Sequence, residues 1–308
     1  MRFTSLLLLT CLLFFINNSF TQETKSERKQ QKKLERKARD KYLNAGIGFA
    51  WMSAKDKATS PLLYSGLIGL GNLEYLVHSD KLIKTFDLAV GAGYLKTNKD
   101  THYGLTRGYE IGIYFNFRFA HIYRVMQLAN NKINWYLGPA LDFSNYSRIN
   151  YKYGNALYNY EYMTGVGLST RFEFPFSYKS KDCKLLGMKL RRRDRDLRLS
   201  WQLYFPVFTS IYRPGYVTII NFADPETPLI NPDNLKTGLF TYFHISSEVE
   251  LYYKLHNGNM LKLTYLWEFH QYNPGYNKVQ GAMNGLYFSF VFKLNNKNKA
   301  KAEKNELN

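Results

Sequence analysis

The chain has 308 residues, 45% of them hydrophobic and 17% aromatic, with 26 Tyr and 22 Phe, and a formal net charge of +18. A mean hydropathy of −0.38 excludes a bundle of membrane-spanning helices. It does not exclude a barrel, because the inward residues of a barrel dilute its hydropathy. Two cysteines, Cys11 and Cys183, exclude a disulfide-stapled fold.

Arg2 precedes an apolar run from Leu6 to Ile16, and Ser19 and Thr21 are small residues before Gln22. This reads as a secretory signal peptide over 1–21, too short to span a bilayer as a helix. The run continues past Cys11 through Phe15, which reads against lipidation at that cysteine. Residues 22–41 follow as a charged extension whose apolar residues are Leu34 and Ala38. A helix of this composition is marginal in isolation.

From 42 to 294 every second residue tends to be apolar or aromatic, with Gly and Asn/Asp-rich breaks. Ten strands are predicted, at 42–52, 62–76, 82–95, 106–121, 132–144, 158–174, 195–208, 240–255, 259–270 and 284–294, with twelve as the alternative count. In the fourth, Tyr109, Ile111, Ile113, Phe115, Phe117 and Phe119 alternate with Glu110, Gly112, Tyr114, Asn116 and Arg118. An aromatic face on a long strand suits lipid, and the opposite face suits a polar lumen. On that assignment Phe115→Lys should cost about 2–4 kcal/mol, and the same change at Asn116 much less. Links 77–81 and 256–258 are tight, whereas those after the odd-numbered strands are longer. The longest, 209–239, holds Pro214, Pro225, Pro228 and Pro232. One basic link, 177–195, falls on the short-turn side, as an elaborated turn or a missed pair of strands. Residues 295–308 form a polar basic tail.

These strands, with the closing segment Leu286, Phe288, Phe290, Phe292 and Leu294, resemble the outer-membrane β-barrel proteins of Gram-negative bacteria. The resemblance implies a transmembrane, antiparallel, up-and-down barrel in the outer membrane, an all-β fold with both termini periplasmic. It implies contact with the lipid bilayer and lipopolysaccharide. The polar tail departs from the terminal aromatic usual in such proteins. Intrastrand glycines such as Gly48, Gly66 and Gly167 are expected to serve curvature and close packing.

Alternation assigns Asp87, Glu110, Arg118, Asp142, Glu161, Arg171, Glu173, Arg198, His244, Glu248, Glu250, Lys254, Lys262, Glu268 and His270 to the lumen. Acids and bases are mixed, so a narrow barrel would be plugged by salt-bridged side chains rather than open. Asp142, Glu161, His244, Glu268 and His270 fall toward the outer ends of their strands, and carboxylate with histidine is the raw material of general-base chemistry. Two barrel enzyme families use such groups. Omptin proteases use acidic and histidine residues at the outer rim; lipid A 3-O-deacylases use a histidine, a serine two residues later and an acid. Tyr272 stands where His270 would need that serine, and the paired aspartates of omptins have no counterpart. No metal-ligand spacing, phosphate-binding glycine motif or GxSxG elbow is found, so no cofactor or metal is expected. The basic charge carries no nucleic-acid recognition motif. The favoured reading is a non-enzymatic outer-membrane barrel, an accessory subunit of an envelope assembly or a surface-binding protein, with protein partners in the outer membrane or periplasm. The alternatives are a deacylase-like or omptin-like hydrolase at the extracellular rim, and a narrow porin.

Overall fold

A computed structural model describes residues 39–97, 108–130, 132–152, 157–178, 183–185, 188–190, 195–214 and 232–294, together with Lys29. The signal-peptide segment 1–21, nearly all of the extension 22–41, the tail 295–308 and most of the proline-bearing link lie outside the described residues.

The described residues hold thirteen strands: β1 (Asp40–Asp56), β2 (Tyr64–Ser79), β3 (Leu82–Thr97), β4 (Tyr109–Leu128), β5 (Ile133–Ile149), β6 (Tyr158–Tyr178), β7 (Cys183–Leu185), β8 (Met188–Leu190), β9 (Arg195–Tyr212), β10 (Leu235–Leu239), β11 (Phe243–Lys254), β12 (Met260–Tyr272) and β13 (Val279–Lys293). Ten of them close a barrel. Each of β1 to β5 pairs with the next, β6 pairs with β9, β9 with β11, β11 with β12 and β12 with β13. Closure comes from β13 returning antiparallel to β1 over Tyr42↔Lys293 to Asp56↔Val279. A closed ladder leaves no edge for lipid to desolvate, which is why strands can cross a bilayer at all.

The one predicted break in regularity resolves simply, and the structure adds another. Among the described residues of the basic link, β7 and β8 pair only with each other, in a two-stranded sheet separate from the barrel's, so the barrel keeps ten strands. β10 pairs with the outer end of β9, where Phe208 meets Leu239, while β11 pairs with its lower part, where Tyr204 meets Ser246. The strand predicted at 240–255 begins instead at Phe243, and residues 240–242, with Phe240 at a φ of +51°, separate it from β10, which lies in what was predicted as a loop. This break lets the chain bend as it passes along β9.

The start of β1, the end of β13 and the connections β2–β3, β4–β5, β6–β9 and β11–β12 share one rim; the remaining loops share the other. β2 and β3 are joined by Asp80 and Lys81 alone. Strands reach 21 residues in β6, against the roughly 9–11 a tilted strand needs to cross the hydrocarbon. The barrel wall therefore stands well beyond the membrane.

Burial alternates with the pleat. In β4 the even positions Glu110 to Ile122 face inward and Ile111 to Phe119 face out. The outer face is apolar in the manner of a lipid-facing surface: Ile47 is 76% exposed, Leu67 57% and Phe288 56%. A soluble protein does not present so continuous an apolar surface to water. Aromatic rings mark two levels of it. Near the rim of chain ends, Trp135 stacks on Phe172 at 5.9 Å and Phe172 on Trp201 at 5.8 Å. Near the other rim, Tyr162, 37% exposed, packs on the buried rings of Tyr160 at 5.2 Å and Tyr212 at 6.3 Å. Rings at both interfaces are what a bilayer selects, because they hold an apolar body and a polar edge at one depth. No described helix is long and apolar enough to cross a membrane; the crossing is by strands.

Candidate functional site

The lumen is built as a stack of ion-paired layers, each formed by side chains of strands that are distant in sequence. Near the rim of chain ends, Glu173 on β6 meets His78 on β2 at 3.1 Å and Arg171 at 3.1 Å. One layer further in, Lys262 on β12 sits between Glu74 on β2 at 2.6 Å and Glu250 on β11 at 3.0 Å, and Arg171 reaches Glu250 at 2.8 Å. At mid-height Arg118 on β4 bridges Asp142 on β5 at 3.1 Å and Glu248 on β11 at 2.6 Å. Nearest the long loops, Arg148 links Asp56 at 2.7 Å to Glu161 at 2.8 Å, and Arg213 also pairs with Asp56 while donating to the Asn277 carbonyl at 2.7 Å. In each layer at least one pair joins strands that are not neighbours in the barrel, among them His78–Glu173, Glu74–Lys262, Arg118–Glu248 and Asp56–Arg148, and so ties separate parts of the wall together, while other pairs join neighbouring strands or residues of one strand. Charges so deeply desolvated persist only where paired and hydrogen-bonded. Lys254, assigned to the lumen by alternation, instead lies at the rim, exposed beside Asp196 at 3.5 Å.

The five residues singled out from the sequence converge between the mid-height and outermost layers. His244 Nε2 lies 3.2 Å from Glu268 Oε1, and its Nδ1 lies 3.7 Å from Asp142 Oδ2. Neither ring nitrogen reaches hydrogen-bond geometry. Glu268 accepts from the hydroxyls of Tyr114, at 3.1 Å, and Tyr146. His270 Nε2 lies 4.0 Å from Glu161, and its ring packs 4.1 Å from that of Tyr146. A Cβ at Gly281 would collide with the His270 ring, so a glycine there is what lets the imidazole lie against the wall. Asp142 is at mid-height rather than at the strand end, held by Asn116 at 2.9 Å and Ser144 at 2.7 Å. All five are at most 2% exposed.

Sequence reasoning passed over Ser246. It lies two residues after His244, faces the lumen, stands opposite Glu268 in the β11–β12 register, and its hydroxyl has no hydrogen-bond partner. The histidine-then-serine spacing that Tyr272 breaks at His270 is intact at His244 and is the signal that identifies it. Asp56, Arg148 and Arg213 were also missed, because they lie beyond the predicted strand ends, although Arg148 keeps the parity of Asp142. Among the described residues no group of three or more His, Cys, Asp or Glu side chains is arranged to hold a metal ion.

Together, the closed ladder, the apolar belt and the charged interior define a transmembrane β-barrel of the outer-membrane type. No protein-family model matches the chain, and no curated protein is similar to it. Among solved structures it is similar to the outer membrane protease OmpT from Escherichia coli, at 8% identity over 83% of this chain and 97% of that one, with a TM-score of 0.44. It is also similar to Neisserial surface protein A, at 9% identity over 81% and 95% with a TM-score of 0.30. A third is Ail, the attachment invasion locus protein of Yersinia pestis in complex with a heparin analogue, at 8% identity over 82% and 99% with a TM-score of 0.31. These likenesses are of barrel architecture, and no activity is carried over from them.

Proposed function

We propose that this chain is a non-conducting outer-membrane barrel that acts through its surfaces, as an accessory subunit of an envelope assembly. The observation that carries this reading is the filled lumen. Ion-paired layers occupy it from rim to rim, and the cavity left at its centre measures about 30 Å³, room for a water or two. The same packing keeps substrate from the buried carboxylate–histidine cluster. The signal-peptide-like N-terminus and the alternation of short and long connections support an outer-membrane location. On this reading the rim of chain ends faces the periplasm and the long loops lie beside lipopolysaccharide. The basic segments 22–41, 177–195 and 295–308 all attach at that periplasmic rim, where acidic partners could dock on them. The test is purification from detergent-solubilised outer membranes, with and without residues 22–39. The proposal expects a co-purifying protein that is lost from the deletion variant; recovery of the barrel alone in both cases refutes it.

One observation favours a hydrolase as the second reading: His244, Ser246 and Glu268 face one lumen, with the histidine-then-serine spacing of the deacylase pattern. Burial argues against it, since a nucleophile must meet its substrate. His270 or His244 as base, with Glu268, Asp142 or Glu161 orienting it, would be exposed by His244→Ala, His270→Ala and Ser246→Ala. Loss of lipid A or peptide hydrolysis in any of these would establish the enzyme and displace the accessory role.

A further inference from the structure

We infer that the cavity at the centre of the lumen is a binding site for one small monovalent cation, of the size of sodium. Its wall carries five carboxylates against three cationic side chains. Two of those cations are also shared with carboxylates outside the wall: Arg118 with Asp142, and Arg171 with Glu173. The shortfall falls on Asp87. Arg118 is its direct neighbour in the β3–β4 register, yet the guanidinium turns to Asp142 and Glu248. Among the described residues Asp87 has no ion pair and accepts only from the Asn72 amide. An unpaired carboxylate inside a transmembrane barrel is costly, so a positive charge beside it is strongly favoured.

A second, independent observation places that charge in the cavity. Tyr287 and Thr264 both line it, both residues are at least nine-tenths buried, and neither hydroxyl has a hydrogen-bond partner. Neutral hydroxyl oxygens beside carboxylates are a hard-cation coordination set. Asp87 and Glu248 retain open surface although both sit mid-strand on the inward face, because that surface is the cavity wall. The size and charge select the ion. A cavity of about 30 Å³ admits a dehydrated ion but no hydrated one. Calcium asks for 6–8 oxygen ligands, several of them carboxylate, and no three such groups converge here among the described residues. The site therefore suits a single charge.

The test uses the full chain in detergent micelles. Equilibrium dialysis against radioactive sodium should give saturable binding of one ion per chain. The midpoint of thermal unfolding should rise with sodium chloride, and stay level when N-methylglucamine chloride replaces it at the same ionic strength. Asp87→Asn should lose both the bound ion and the sodium-dependent rise. Asp196→Asn, at the exposed rim, should keep them. Absence of saturable binding to the wild type overturns the inference whether or not Asp87→Asn folds. So does an equal response to both salts, or a sodium response that survives Asp87→Asn. A midpoint that follows pH but ignores sodium means that a proton neutralises Asp87, and overturns it too.

Discussion

Replacing Arg118 by methionine removes the one cation between Asp142, at 3.1 Å, and Glu248, at 2.6 Å. The guanidinium also lies 5.0 Å from the Tyr204 ring centre. Methionine keeps much of the volume, so the change is chiefly electrostatic. Asp142 retains Asn116 and Ser144 as donors, but no hydrogen bond to a neutral amide replaces a full charge in a dry site. Removing one partner of a buried pair costs about 3–5 kcal/mol, and two carboxylates orphaned together favour the upper end of that range. The variant Arg118→Met/Glu248→Gln removes one of the two orphans and should recover a good part of the loss. The assay is reversible denaturant unfolding in lipid vesicles, followed by tryptophan fluorescence, with heat-modifiable gel migration as the check for a closed barrel. A loss below about 1 kcal/mol, the value typical of solvent-exposed pairs, would show that water solvates this layer and that the lumen is not packed.

Phe115→Lys puts a charge on the lipid face at mid-strand and should cost about 2–4 kcal/mol in the same assay. Asn116→Lys, expected from the sequence to be mild, should cost at least as much, because Asn116 is 2% exposed and donates to both Asp142 and Ser144 at 2.9 Å. Tolerance at position 116 would again mean a hydrated lumen. Gly281→Ala drives a methyl into the His270 ring, an overpacking cost of about 1–3 kcal/mol. Combining it with His270→Ala should relieve most of that cost; additive losses would place the ring elsewhere.

The barrel was legible because lipid imposes a two-residue period on every strand, and Ile111 to Phe119 display that period without interruption. Strand ends were not, because pairing continues past the membrane where the apolar alternation fades. Asp56, Arg148 and Arg213 therefore came to light only through their contacts with one another and with Glu161. Parity named most of the lumen charges, although the reading passed over Glu74 inside a predicted strand and admitted Lys254, which the end of β11 carries out to the rim. It could not name their partners. Lys262 meets Glu74 across 188 positions of sequence, and no local pattern encodes that distance. Asn116 shows the same limit from the other side. Its inward direction was readable, but its tight hydrogen bonding was not, and a position that looked permissive is a packed one.

The packed lumen is the premise on which the proposed role rests, and reconstitution into planar lipid bilayers tests it most directly. Purified full-length protein, shown to be folded by heat-modifiable migration, should insert without steady single-channel conductance at either polarity. Arg118→Met, if it inserts, should open at most brief and irregular events. Stable, ohmic steps from the wild-type protein would contradict the account, and would make the charged layers the lining of an open channel.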